Sequence, residues 1–177
     1  MTDTTTTIEN EALAAESYRV AGQAVFAAMQ GYGIGTIGPL GEGAGLWIDP
    51  NYRYPGAGET VASIKAAVRK AGRRGKMTPA REKRYIDSIF VVMAGRAAEQ
   101  LHRPGAEVSA ASVRDLELAM EMTYALRGEQ SLVTDAVKTV AVLQSPAALS
   151  IVQRVARRLA DGEAITGTQI LAGGMAE

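Results

Sequence analysis

Apolar residues recur along the chain at the spacing of buried helix faces, and one glycine-rich segment near the start interrupts the pattern. Within 8–30 they return every three or four residues, which predicts a long first helix. Seven glycines in 31–45 then end the helical pattern. Alternation of apolar and polar residues in 34–37, followed by the apolar run 46–48, predicts a small β-hairpin or sheet.

The rest of the chain shows further helical segments with recognisable start signals. Thr78 is a suitable N-cap because Pro79, which follows it, favours the first position of a helix. Ser145 stands in the same place before a second proline, and Thr166 with Gln169 forms a capping-box pattern for a short final helix. Between the first helix and this final one, the predicted helices cover 60–71, 79–102, 112–127, 132–143 and 146 to about 161.

These elements predict a mainly α protein, a single helical domain with a small β-hairpin or sheet insertion. The 177 residues suffice for one domain with a substantial core, and a hydrophobic content of 47% with only 5% aromatics is typical of closely packed helices. We assign 9–177 to this domain and expect 1–8, which is polar and threonine-rich, to be a disordered tail.

Composition excludes several kinds of site. The chain has no cysteine, so disulfides, thiolate metal sites and cysteine nucleophiles are excluded. His102 is the only histidine, which rules out a site with two imidazoles, and its place near a helix end suggests a capping or surface role. The start of the chain lacks the pattern of a signal peptide, and the densest apolar run, 89–94, is too short to cross a bilayer. We therefore expect a cytoplasmic protein without a membrane partner.

The formal net charge of zero hides a strongly basic segment. Residues 65–84 hold nine basic side chains and one acid, a net charge of +8 that the rest of the chain balances. The segment could be a solvated helical surface, a docking surface for an acidic protein, or a nucleic-acid contact that neutralises phosphates. Its candidate partner-binding residues are Arg69, Lys70, Arg73, Arg74, Lys76, Arg81, Lys83 and Arg84.

Two separated segments carry a family resemblance. Residues 16–25 read ESYRVAGQAV and residues 93–100 read MAGRAAEQ. Together with Glu107-Val108-Ser109 and the Asp115-Leu116 pair, they resemble landmarks of the peptidase domain of the FtsH-type ATP-dependent zinc metalloproteases. The stretch 158–166 is similar to the closing helix and turn of that domain, so the resemblance covers about 10–172. It implies an FtsH-peptidase-like fold.

The same resemblance implies that the catalytic site is degenerate. The family motif His-Glu-x-x-His places two zinc-binding histidines on one helix face and a general base beside the first. Arg19 occupies the first histidine position, Val20 the glutamate position and Gln23 the second histidine position, while Asp115 matches the third zinc ligand. One carboxylate does not make a catalytic zinc site, so we expect no catalytic residue, no metal and no cofactor.

Because the catalytic site is expected to be degenerate, we expect the protein to act by binding. The resemblance implies a catalytically inactive, pseudo-protease module for binding, assembly or regulation, with self-association or docking onto a protein partner. Two alternatives stay open. The first is a hydrolase with a non-standard site, such as Asp115 with Glu117 or Glu121. The second is a nucleic-acid-binding accessory protein that uses the basic segment 65–84.

The loss of the metal predicts a specific replacement contact. We hypothesise that Arg19 reaches Asp115, with Gln23 adding hydrogen bonds, because the planar guanidinium suits a carboxylate. The alternative is that Arg19 points to solvent and pairs with Glu16 on its own helix face.

Overall fold

The computed structural model describes residues 4–37, 78–126 and 131–172, together with Ala66 and Arg69, and is mainly helical there. The predicted fold class is confirmed at this level: long helices form the domain and a two-stranded antiparallel sheet accompanies them. No helix in these ranges has the length and apolarity that a bilayer crossing needs. In chain order the elements are α1 (Thr4–Met29), β1 (Thr36–Ile37), α2 (Pro79–His102), α3 (Ala110–Leu126), α4 (Ser131–Leu143), α5 (Pro146–Ala160), β2 (Ile165–Thr166) and α6 (Gly167–Ala172).

Most of the predicted helix boundaries agree with the structure, with local differences. Helix α1 begins at Thr4, inside the segment expected to be a disordered tail. Helix α2 begins at Pro79 as predicted, although the Thr78 side chain makes no capping hydrogen bond. Ser145 does cap α5, because its hydroxyl oxygen accepts a hydrogen bond from the Ala148 amide at 3.4 Å. Of the predicted basic helix 60–71, only Ala66 and Arg69 are described, and both are helical.

The small sheet pairs two distant parts of the chain. Strand β1 lies antiparallel to β2, with Thr36 opposite Thr166 and Ile37 opposite Ile165. The predicted partner of β1 was the run 46–48, which lies outside the described residues; the partner that the structure shows is β2. Burial explains the pairing, because Ile37 and Ile165 are 1% and 0% exposed and seal one side of the core.

Helix α1 is the centre of the core and packs along both α2 and α5. The closest approach is at Gly22, where a Cβ atom would lie 2.4 Å from the Cβ of Ala98 and 2.6 Å from the carbonyl oxygen of Ala94. Small side chains let the two helix backbones meet here. The two segments that carry the family resemblance therefore lie side by side in the fold.

A buried carboxylate connects α2 to the start of α3. Glu99 is 3% exposed and accepts hydrogen bonds from the Ser109 amide at 2.6 Å, the Ser109 hydroxyl at 2.9 Å and the Ser112 hydroxyl. Ser109 directly precedes α3, so this carboxylate satisfies donors at the helix N-terminus, where a negative charge is favoured. The contact fixes the first turns of α3 against α2.

Candidate functional site

The candidate site is a polar cluster between α1 and α3. Arg19 and Gln23 lie one turn apart on α1, and both reach the same carboxylate oxygen of Asp115 on α3. Arg19 Nη1 donates to Asp115 Oδ2 at 2.8 Å, and Gln23 Nε2 donates to that oxygen at 2.9 Å. The hypothesis that Arg19 reaches Asp115 with help from Gln23 is confirmed.

The guanidinium of Arg19 also binds a second carboxylate. Its Nε donates to Glu16 Oε2 at 2.8 Å and its Nη2 to Glu16 Oε1 at 2.5 Å. This is a bidentate contact, the strongest geometry available to an arginine. The pairing with Glu16, considered as an alternative, therefore coexists with the Asp115 contact, and Arg19 bridges the two helices instead of pointing to solvent.

The charges of the cluster shift the pKa values of its members. Burial alone lowers the pKa of Arg19, but the hydrogen bonds and charges of Glu16 and Asp115 outweigh it, so this pKa lies above its ordinary value. Burial raises the pKa of Asp115, and Arg19 only partly offsets this. The negative charge of Glu16 raises the pKa of Asp115 further, and the positive charge of Arg114 lowers it by a smaller amount.

The cluster does not fit the zinc that the family resemblance implies. A catalytic zinc needs about three protein ligands, and here the only ionisable ligand among the three matching positions is Asp115, which already accepts two hydrogen bonds. Across the described ranges no group of three histidine, cysteine or acidic side chains could hold a metal ion. Val20, in the position of the general base, is 1% exposed and belongs to the hydrophobic core.

The remaining predicted site residues belong to the basic segment 65–84 and to α3. Lys70, Arg73, Arg74 and Lys76 lie outside the described residues. Arg69 is exposed on its helical segment, and Lys83 and Arg84 are exposed near the start of α2, in which Arg81 also lies. Glu117 and Glu121 are exposed on α3, whereas Asp115 is held against α1.

Near the start of α2, Lys83 is held by a buried acid. Its ammonium donates to Asp87 Oδ2 at 2.5 Å, and the Tyr32 hydroxyl donates to that oxygen at 2.6 Å. Burial, followed by the hydrogen bond to Asp87, raises the pKa of Tyr32. An open cleft of about 350 Å³ borders these side chains. The charge pattern predicted Lys83 as a candidate partner-binding residue, and the structure shows that its exposed side chain also pairs with Asp87 on the same helix.

Sequence analysis missed two further contacts. The first is Glu99, whose capping of α3 depends on a partner ten residues away. The second is the stack of His102 on Tyr18, with ring centroids 3.7 Å apart. His102 is exposed at the end of α2, as expected for a surface residue, and burial followed by the charge of Arg103 lowers its pKa.

Comparison with known proteins identifies no relative. No model of a protein family, no curated protein and no solved structure matches this chain. The resemblance to FtsH-type peptidase domains therefore rests on the quoted motifs and remains a proposal.

The cluster makes a testable contribution to stability. Arg19→Met keeps the aliphatic stem but leaves Glu16 and Asp115 close together without their cation, so we expect the free energy of unfolding to fall by about 2 kcal/mol. Asp115→Asn removes a charge that burial already disfavours, and we expect a loss below about 1 kcal/mol. Urea unfolding monitored by circular dichroism measures both. Equal losses for the two variants would contradict this account.

The stability of the wild type and of Asp115→Asn, measured over a range of pH, tests the pKa of Asp115. Because its folded-state pKa lies above the ordinary value of 3.8, the stability from this group is fully present below 3.8 and is lost as the pH rises through the folded-state pKa. The advantage of the wild type over Asp115→Asn should therefore shrink as the pH rises above 3.8. A growing advantage would mean that Arg19 lowers this pKa instead.

Proposed function

We propose that the chain is a catalytically inactive relative of FtsH-type peptidase domains and acts as a binding, assembly or regulatory module. One observation carries the proposal: the three positions that the resemblance assigns to zinc ligands, Arg19, Gln23 and Asp115, meet at one carboxylate oxygen. Asp115 and Gln23 are separated by 92 residues, so their contact reflects the fold and not local sequence.

The chemistry of the cluster suits a structural role. A guanidinium supplies positive charge and directed donors, as a metal ion would, and so joins α1 to α3. It offers no coordination position at which a water molecule could be activated for hydrolysis. Under this proposal the cluster of Arg19, Gln23 and Asp115 still joins α1 to α3 but does not catalyse hydrolysis.

A role in binding follows from what the resemblance implies about assembly. FtsH-type peptidase domains pack as hexameric rings, so a member without catalysis would associate with itself or dock onto an active ring. The hydrolase alternative is less well supported, because Asp115 already accepts hydrogen bonds from Arg19 and Gln23. The proposed setting is the cytoplasm.

Nucleic-acid binding is the second candidate. It is favoured by the exposure of Arg69, Lys83 and Arg84, which all lie in the basic segment 65–84. Binding of this kind would weaken steeply with salt and would be lost on reversing the charges of Arg73 and Arg74. Docking to a folded protein would depend less steeply on salt.

The decisive experiment measures zinc and proteolysis on the same preparation. After incubation with Zn²⁺ and dialysis, we expect well below about one zinc per chain by mass spectrometry, and no cleavage of an unfolded protein such as casein. Light scattering on that preparation tests whether the mass exceeds the 18.6 kDa of a monomer. Stoichiometric zinc, or proteolysis that Asp115→Ala abolishes, would overturn the proposal.

A further inference from the structure

An open cleft lies between the end of α1 and the first turns of α2. Its volume of about 350 Å³ is within the range of pockets that hold small molecules. Met29, the last residue of α1, follows Arg19 by ten residues, or roughly 15 Å along the helix, so the cleft is separate from the polar cluster at Asp115. The polar part of its lining consists of Gln30, Gly31 and Tyr32 after α1, and of Lys83, Arg84 and Asp87 on α2.

A helix-capping turn fixes the wall that follows α1. Gly31, with a φ of 80°, has the left-handed conformation that ends many helices. Its amide donates to the carbonyl oxygen of Ala28 at 3.0 Å, and the amide of Tyr32 donates to that of Ala27 at 3.0 Å. These two bonds form the Schellman pattern, so a defined backbone turn holds Tyr32 at the cleft.

A buried carboxylate joins the two walls of the cleft. Asp87 is 6% exposed, and its Oδ2 accepts hydrogen bonds from the Tyr32 hydroxyl at 2.6 Å and from the Lys83 ammonium at 2.5 Å. The side chain of Lys83 is nevertheless 66% exposed. An ammonium has three N–H donors, and the contact with Asp87 uses one, so Lys83 can donate to a ligand without giving up this contact.

Positive charge outweighs negative charge in the described lining. Lys83 and Arg84 supply two cations, and Asp87 supplies one carboxylate. Burial, followed by Asp87, raises the pKa of Tyr32, whereas the positive charge of Arg84 lowers it by less. The guanidinium of Arg84 therefore lies close enough to act on the wall that Tyr32 forms. A cleft with a net positive charge attracts an anion.

We propose that this cleft binds a small phosphate ester, with Lys83 and Arg84 as the residues that bind its phosphate group. A phosphate monoester carries about −1.5 to −2 charges at pH 7 and offers three acceptor oxygens, which an ammonium and a guanidinium complement. The Tyr32 hydroxyl donates its proton to Asp87, so its oxygen can only accept further hydrogen bonds, and a hydroxyl group on the ligand suits it. The inference goes beyond the proposed function and does not rest on it.

The lining also limits the rest of the ligand. Ala80 is the only aliphatic side chain among the described lining residues, so a large apolar group would gain little there. A metal ion is poorly served, because Asp87 is the only carboxylate in that lining and two cations accompany it. Because the cleft is open to solvent, we expect a modest affinity, with a dissociation constant of roughly 10 µM to 1 mM.

Isothermal titration calorimetry with glycerol 3-phosphate tests the site. The wild type should bind this ester, and should bind glycerol, or sulfate at the same ionic strength, at least about tenfold more weakly. Lys83→Gln combined with Arg84→Gln should weaken binding of the ester at least about tenfold. The matched control, Lys138→Gln with Arg157→Gln, removes the same charge from exposed positions of α4 and α5 and should leave binding unchanged. No binding by the wild type, equal binding of sulfate, or equal weakening in both double variants would overturn the inference.

Nuclear magnetic resonance of the wild type locates the ligand without any substitution, and so decides the question even if a variant fails to fold. Glycerol 3-phosphate should shift the amide signals of Gly31, Tyr32 and Lys83 most, and should leave that of Asp115 unchanged. Shifts centred on other residues would overturn the inference. So would a single-stranded oligonucleotide that binds these residues more tightly than the ester, because the site would then belong to a nucleic-acid surface. Zinc content and proteolysis test the proposed function separately, so the two can fail independently.

Discussion

Replacing Arg19 and Gln23 together by histidine is expected to create a zinc site with Asp115. The two side chains lie one turn apart and converge on one oxygen of Asp115, the arrangement that a pair of histidines with a carboxylate requires. We expect about one zinc per chain and a dissociation constant on the order of 1 µM or tighter.

The geometry explains why histidine side chains at these two positions can bind zinc although they are shorter than arginine. Histidine is shorter than arginine, but a zinc ion adds about 2.0 Å on the side of each imidazole and of the carboxylate, and so fills the space of the guanidinium. Val20 is left unchanged, because it is 1% exposed and a glutamate there would place a charge in the core. The variant is therefore designed to bind metal and not to restore hydrolysis.

Zinc content by mass spectrometry and thermal unfolding measure the result. Zinc at about 100 times its dissociation constant should raise the stability of the double variant by about 2.7 kcal/mol and leave the wild type unchanged. The same two histidines combined with Asp115→Ala form the matched control, which should lose most of the affinity. A folded double variant that binds no more zinc than the wild type would remove the main support for a degenerate metallopeptidase site.

The second large effect concerns Gly22, where α1 and α2 are closest. Gly22→Ala should lower the free energy of unfolding by about 3 kcal/mol, and the melting temperature by about 10 °C. The new Cβ would meet the Cβ of Ala98 at 2.4 Å and the carbonyl oxygen of Ala94 at 2.6 Å, and neither atom can move without its helix. This strain outweighs the roughly 1 kcal/mol that alanine gains over glycine in a helix.

Gly95 supplies the control on the facing helix. A Cβ there would meet Gln23 Nε2 at 2.9 Å and Arg19 Cγ at 3.0 Å, which are side-chain atoms and not backbone, so the side chains of the polar cluster would have to shift but the two helices would not. We expect Gly95→Ala to change stability by less than about 1 kcal/mol, because side-chain adjustment and the gain in helix propensity oppose each other. Chemical unfolding of Gly22→Ala and Gly95→Ala under the same conditions measures the difference in their stability losses. Similar losses would show that backbone approach at Gly22 is not the limiting contact.

Local patterns predicted the helices of this protein well, because each helix has its own signals. Pro79 marks the start of α2, and Ser145 caps α5 through its hydroxyl. Such signals act over one turn and survive in any tertiary context. The partner of β1 was not predictable in the same way, because β2 lies more than a hundred residues later and only burial of Ile37 and Ile165 selects it.

The sequence likewise predicted only part of the candidate site. The motif spacing placed Arg19 and Gln23 on one face of α1, and the residue types led to the correct expectation that a guanidinium would reach Asp115. The additional bidentate contact with Glu16 was treated as an alternative, because sequence spacing cannot show that one arginine serves both carboxylates. The pKa of Asp115 likewise depends on burial, which follows from the packing of α3 against α2 and from the side chains of α1 that contact Asp115.

The amino-acid sequence alone determined the helical class, most helix boundaries and which side chains share a helix face, since these follow from contacts within a few residues. Only the tertiary structure decided which face of each helix is buried. Helix α4 shows the difference: periodicity predicts the helix, whereas packing places Asp135 and Thr139 inside and leaves Val133 and Val137 exposed. The same is true of Glu99, whose role as a cap exists only because α2 and α3 meet. Such contacts join distant residues, and the free energy that selects them comes from burial in the whole fold.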